Sequence, residues 1–175
     1  MPGAGGGNGA VVTRVLADPV RMYLPSPYWN RARDFFSFNL DFNTLTASTT
    51  TNGAFSVQND SDFLVLAIVA SAATAAAGTT ERAYLPYLIS IQDTGSGAQW
   101  FGGDGNGFTH IQNIVTRISG GTAAIAVDYA PLEHPRFIPA ASTVTVVINN
   151  LSANADRLWL SFRGVKIYRS LRQGQ

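Results

Sequence analysis

From Phe36 the chain alternates apolar and polar residues with a period of two, Phe36, Phe38, Leu40 and Phe42 against Ser37, Asn39, Asp41 and Asn43. That is the pattern of a strand with one face in a core and the other in water. The polar run from Thr46 to Gly53 predicts a turn, Ala54 to Gln58 a short strand, and Asn59 to Asp62 a second turn. Phe63 to Ala70 is an unbroken apolar run of strand length, suited to the middle of a sandwich. Ser71 to Thr80, rich in Ala, Thr and Gly, fits either a strand end with a loop or a short helical turn. A strand is predicted over Ala83 to Gln92, with Pro86 placing its first half at an edge or a bulge.

A glycine-rich loop is predicted from Gly95 to Gly107, followed by a weakly strand-like stretch from Phe108 to Ile118 and a strand candidate from Ala124 to Tyr129. Pro131, Pro135 and Pro139 bracket Arg136-Phe137-Ile138, Ser142 to Asn149 is a clear β run, and Asn149-Asn150 predicts a turn. The last strand alternates Leu158, Leu160 and Phe162, then places Val165 and Ile167 one step out of phase across Gly164. A one-residue slip at a glycine predicts a β-bulge at Gly164.

These segments amount to about eight strands separated by Gly, Pro and Asn turns, with no long amphipathic helix, so the fold class is all-β. An even strand number with long crossing loops predicts an antiparallel β-sandwich of jelly-roll type rather than an immunoglobulin sandwich with its buried Trp. The sandwich is expected over residues 34–170, with an extended glycine-rich N-terminal arm at 1–33 and a C-terminal tail at 171–175. Met1 to Ala10 holds five glycines and no anchoring side chain, and Pro19, Pro25 and Pro27 break the apolar stretch that follows. Such an arm needs a surface to lie on. It is expected to dock on a neighbouring subunit through Arg14, Val15, Leu16, Arg21, Met22, Tyr23, Leu24, Tyr28, Trp29, Arg31 and Arg33, the alternative being that it folds back on its own sandwich.

Composition sharpens this picture. The chain is 46% hydrophobic and 13% charged, against about 25% charged in an ordinary soluble domain, which suits a surface partly covered in its working state. Residues 1–33 carry +3, residues 157–175 carry +5, and the span between them holds three arginines against ten carboxylates. Eleven of the twelve basic residues are arginine, the cation favoured at interfaces, although a GC-rich genome would produce the same bias. With no cysteine, thiolate metal sites and cysteine nucleophiles are excluded. The N-terminus lacks the charged and apolar regions of a secretory signal, so synthesis in a cytoplasm is expected. Phe63 to Ala77 is too short for a membrane span.

Candidate chemistry is sparse, and neither a catalytic residue, a cofactor nor a metal is expected. His110 and His134 are 24 residues apart and neither has a second ligand at metal spacing. Gly102 to Gly107 is too short for a repeated calcium-binding turn and lacks the Gly-Lys-Ser/Thr ending of a phosphate loop. Asn59-Asp60-Ser61 and Asn150-Leu151-Ser152 match the glycosylation pattern without a secretory context. Asp60 and Asp62 are the one close carboxylate pair, in a turn where Asp caps the backbone. Four arginines over 33 residues are too sparse for a nucleic-acid arm. Trp100, Phe101 and Trp159 would serve a carbohydrate-binding adhesion module, the rival class, if exposed.

The C-terminal third, Pro135-Arg136-Phe137-Ile138-Pro139-Ala140, Ser142 to Val146, Asn149-Asn150-Leu151-Ser152 and Leu158 to Tyr168, resembles a virion structural protein of tailed bacteriophages. Ile91 to Trp100 and Arg33 to Phe38 are similar to the same group, and the likeness spans about residues 30 to 168. It lies in strand and turn pattern, not in a catalytic motif. It implies a jelly-roll component of the particle, first a capsid decoration or cement protein at the capsid surface, with a collar, tail or head-fibre position as the close alternative. The partners it implies are further copies of the chain and other virion proteins such as the major capsid protein.

Overall fold

The computed structural model of the chain describes residues 20–74, 85–101, 107–117 and 132–169. They form an all-β sandwich. The strands are β1 (Arg33–Leu45), β2 (Thr50–Ser56), β3 (Ser61–Thr74), β4 (Tyr87–Asp93), β5 (Thr109–His110), β6 (Thr116–Arg117), β7 (Arg136–Ile138), β8 (Thr143–Asn150) and β9 (Asp156–Tyr168). One sheet has the order β1-β9-β3-β6, with β7 also on β3, and the other β2-β8-β4-β5. All pairings are antiparallel except β3 with β6.

The core between the sheets follows the period-two pattern. Phe42, Phe63, Ile68, Leu158, Leu160 and Phe162 from one sheet meet Phe55, Tyr87, Ile89, Ile91, Val144, Val146 and Ile148 from the other. At the flank where β1 and β2 close the sandwich, Phe38 stacks on Phe55 with ring centroids 4.5 Å apart. Gly53 leaves room for the Phe42 ring there, since a Cβ would lie 2.9 Å from its Cζ.

Several expectations are corrected. The strand expected at Ala54 begins at Thr50, the one expected at Ala83 begins at Tyr87 after Pro86, and Phe108 to Ile118 breaks into two short strands around a 3-10 turn at Ile111–Asn113. Asn150 does not turn the chain but ends β8, fully buried. The candidate strand at Ala124 to Tyr129 and the tail at 171–175 lie outside the described residues.

The phase slip in β9 has a different cause from the expected bulge. The register of β9 on β1 runs unbroken from Leu158 to Ile167, and Gly164 does not have a positive φ. The extra residue is in β3, where Leu66 is inserted opposite the Gly164–Arg163 step. Leu158, Leu160 and Phe162 face the other sheet, whereas Val165 and Ile167 belong to a second cluster with Leu24 and Leu64. Apolar residues change phase because the outer face of the sheet is itself covered from residue 165 onward. Gly164 is required by close approach, as a Cβ there would collide with the Leu64 carbonyl oxygen and lie 3.0 Å from Phe63 Cζ.

Candidate docking face

The outer face of the five-stranded sheet is built in lateral rows. One row runs Phe35 on β1, Val165 on β9, Leu64 on β3 and Phe137 on β7. Residues 20–28, two 3-10 turns at Arg21–Tyr23 and Ser26–Tyr28, lie over most of it. Leu24 is 5% exposed in the second cluster, Val20 packs beside it, and the Tyr28 ring meets Phe137 edge-on at 5.1 Å. The proline spacing that forbids a long helix here favours such short turns. In this part of the expected arm Leu24 and Tyr28 therefore pack on the chain's own sandwich, the fold-back alternative.

A polar clip holds the segment down. Arg33 Nη2 donates to the Trp29 carbonyl at 2.7 Å, Trp29 Nε1 to the Leu24 carbonyl at 2.9 Å, and Arg31 Nη1 to the Arg169 carbonyl. Asp62, far from a solvated capping residue, is fully buried, and its Oδ1 accepts from Ala140 N–H and from both Nε and Nη2 of Arg169. A cavity of about 270 Å³ lies among Pro27, Tyr28, Arg31, Asp62 and Arg169. Burial first, and the neighbouring Asp62 charge second, raise the Tyr28 phenol above its ordinary pKa. These contacts join segments; they do not converge on a reactable position.

Met22 is 75% exposed, Tyr23 and Trp29 are about half exposed, and Arg21 stacks its guanidinium on the Trp29 ring at 4.4 Å. Arg14, Val15 and Leu16 lie outside the described residues. Beyond the covered part of the row the sheet is open. A groove of about 530 Å³ is lined by Phe35, Phe36, Ser37, Leu66, Arg163 and Gly164, and Phe35 is 84% exposed. Sequence reasoning passed over Phe35, although the Phe35-Phe36 pair was its signal, since one of two successive strand residues must face outward.

A second groove of about 420 Å³ continues along the face past Asn39, Asp41, Ser71, Trp159, Ser161 and Arg163. Arg157 holds Asp41 through Nε at 3.2 Å and Nη2 at 2.7 Å, which keeps the Asp41 carboxyl below its ordinary pKa. Arg157 also covers the Trp159 ring at 4.6 Å. Of the aromatics expected to bind sugar, Trp100 is buried, with Nε1 on Asp93, and Phe101 packs on the core.

His110 and His134 are both exposed, and the described residues contain no group of three or more His, Cys, Asp or Glu placed to hold a metal. The Asn150 amide is occupied by backbone carbonyls, so its glycosylation pattern is buried sequence. No helix among the described residues is long and apolar enough to cross a membrane. Comparison with protein-family models, with curated proteins and with solved structures finds no match to this chain.

Proposed function

We propose that the chain is a non-enzymatic structural subunit of a tailed-bacteriophage particle, a capsid decoration or cement protein that works by packing against copies of itself and against other virion proteins. The observation that carries this reading is the flank where β1, thirteen residues long, and β2, seven residues long, lie side by side as the end strands of their sheets. Neither contains Lys or Pro, the usual guards of an open strand edge. β1 does carry Arg33, Asp34 and Asp41 and a register shift between Phe42 and Leu45, but edges of this length without Lys or Pro favour pairing with another chain over solvation.

Strand order supports the jelly-roll form of the reading: β9 lies between β1 and β3, β8 lies between β2 and β4, and β7 flanks β3. This is the interleaving that two Greek keys produce. The sequence likeness and the low charge point the same way. Of the three aromatics expected to serve a carbohydrate-binding role, Trp100, Phe101 and Trp159, only Trp159 is left, and Arg157 already covers its ring.

The test is the mass of the purified protein by light scattering, alone and after mixing with undecorated capsid shells. A closed oligomer, or saturable uptake by shells, is expected. A persistent 18.6 kDa monomer that leaves shells bare overturns the reading, and saturable glycan binding by that monomer would replace it.

A further inference from the structure

We infer that the outer edge of β1 is the seat of a second copy of this chain, the two β1 strands pairing antiparallel about a two-fold axis at Ser37. The inference rests on the assembly reading above and names its partner. β1 pairs with β9 along one edge, and no strand among the described residues pairs with the other. Its register on β9 is unbroken from Arg33 to Phe42, so this stretch is a regular pleated edge, and the irregularity comes only between Phe42 and Leu45. Two successive aromatics stand open on it, Phe35 84% and Phe36 39% exposed.

The charge pattern of the edge chooses the occupant. A two-fold axis that continues a sheet stands perpendicular to it and keeps the outer faces of both copies on one side, so each residue meets one of its own face. Arg33 and Asp41 alternate onto the same face as Phe35, Ser37 and Asn39. With Ser37 opposite Ser37, Arg33 of each copy meets Asp41 of the other, Phe35 meets Asn39, and on the inner face Phe36 meets Phe38. Opposite charges and aromatic pairs directly across a ladder stabilise it. Moving the axis to Phe36 sets Arg33 against Asn39 instead, and moving it to Phe38 carries Arg33 past the regular stretch to Asn43. Asp41 already takes Nε and Nη2 of Arg157, but a carboxylate has about four acceptor sites, which leaves places for a second guanidinium. The charges that turn an unrelated strand away thus complement each other on a copy of the same strand.

The chain has no cysteine, so engineered thiols report the register. Directly opposed residues of an antiparallel pair have Cβ atoms about 4.5–5.5 Å apart, a small adjustment from disulfide reach. Ser37→Cys is expected to oxidise to a covalent dimer in dilute solution, as is an equimolar mixture of Phe35→Cys and Asn39→Cys. Phe35→Cys alone, Asn39→Cys alone, and Asn43→Cys, past the regular stretch, are expected to run as monomers on a non-reducing gel. Ser37→Lys sets two ammonium groups face to face at the axis. It is expected to keep the parent's far-ultraviolet strand signal while shifting the mass seen by light scattering toward the 18.6 kDa monomer. An oligomer in which Ser37→Cys stays uncrosslinked and Ser37→Lys changes nothing overturns the inference and leaves the assembly reading standing. Cross-linking of Asn43→Cys as fast as Ser37→Cys, or of Phe35→Cys with itself in place of the mixture, overturns it as random collision or another register. A parent that is monomeric at every concentration also overturns it, and takes the assembly reading with it only if capsid shells stay bare.

Discussion

The indole Nε1 of Trp100 donates to Oδ2 of Asp93 across 3.0 Å inside the sandwich, tying the glycine-rich loop back to the end of β4. Ser96 adds its backbone N–H at 2.6 Å and its hydroxyl at 2.7 Å to the same carboxylate. Burial pushes the Asp93 pKa up, but the bonds from Ser96, Trp100 and Gly95 together outweigh it and hold the group below its ordinary value. A depressed folded-state pKa stabilises the fold above the unfolded carboxyl value, near about 3.9, and that contribution disappears as pH falls through the folded value. Melting temperature should therefore drop more steeply below about pH 4 in the parent than in Asp93→Asn. At pH 7, Asp93→Ala should cost about 1–3 kcal/mol by leaving buried donors without an acceptor. Parallel acid branches for parent and Asp93→Asn would contradict this account.

Gly164→Ala should destabilise by about 1–3 kcal/mol or more, because the added methyl meets the β3 backbone instead of a movable side chain. Gly164→Asn should be no better, since asparagine relieves only a positive φ, which Gly164 does not have. Gly97 is the opposite case: its φ is +66° and nothing lies near a Cβ. There Asn should be tolerated better than Ala, whose left-handed conformation costs about 1–2 kcal/mol. Chemical denaturation of the four variants reads both contrasts.

Asn150 Nδ2 serves the carbonyls of Leu45, Thr46 and Asn154, and its Oδ1 accepts from Ser152 N–H at 2.9 Å. Asn150→Leu should cost about 1–3 kcal/mol in urea melts by stranding those carbonyls. Asn150→Asp should cost more, because it sets a carboxylate against three acceptors. An Asp variant as stable as the parent would mean that the amide is not the donor that holds this corner.

Leu24→Ala should lose about 2–5 kcal/mol from the covered outer face, whereas Met22→Ala, two residues away and largely exposed, should stay within about 0.5 kcal/mol. Equal and small losses would place the whole segment off the sandwich.

The alternating strands were legible because a sandwich strand has one dry face, and Phe38, Leu40 and Phe42, like Val144, Val146 and Ile148, obey that rule. Val165 and Ile167 were misread because the rule presumes a wet outer face, and nothing local in the sequence says that Leu24 will cover them. The bulge was placed beside the right residue but on the wrong strand, since a period slip does not tell which partner carries the insertion. Asp62 looked like a turn residue, because its burial depends on Arg169, 107 positions away. Leu24 could be read as apolar, but not whose surface it would meet.

The interleaved strand order also sets a sequence of events in time. Among the described strands β9, the latest made, is the one between β1 and β3, and β8, made before it, is the one between β2 and β4. Neither sheet can close while the ribosome still holds the C-terminal third. Arg33 must wait for Ile167, and pairings of such long range are slow to form. Until then Phe35, Phe36, Phe38 and Phe42 stand on a strand without a partner, in the state most open to aggregation or chaperone capture. Losing even the last strand's worth of residues should therefore leave an unfolded chain, not a smaller sandwich.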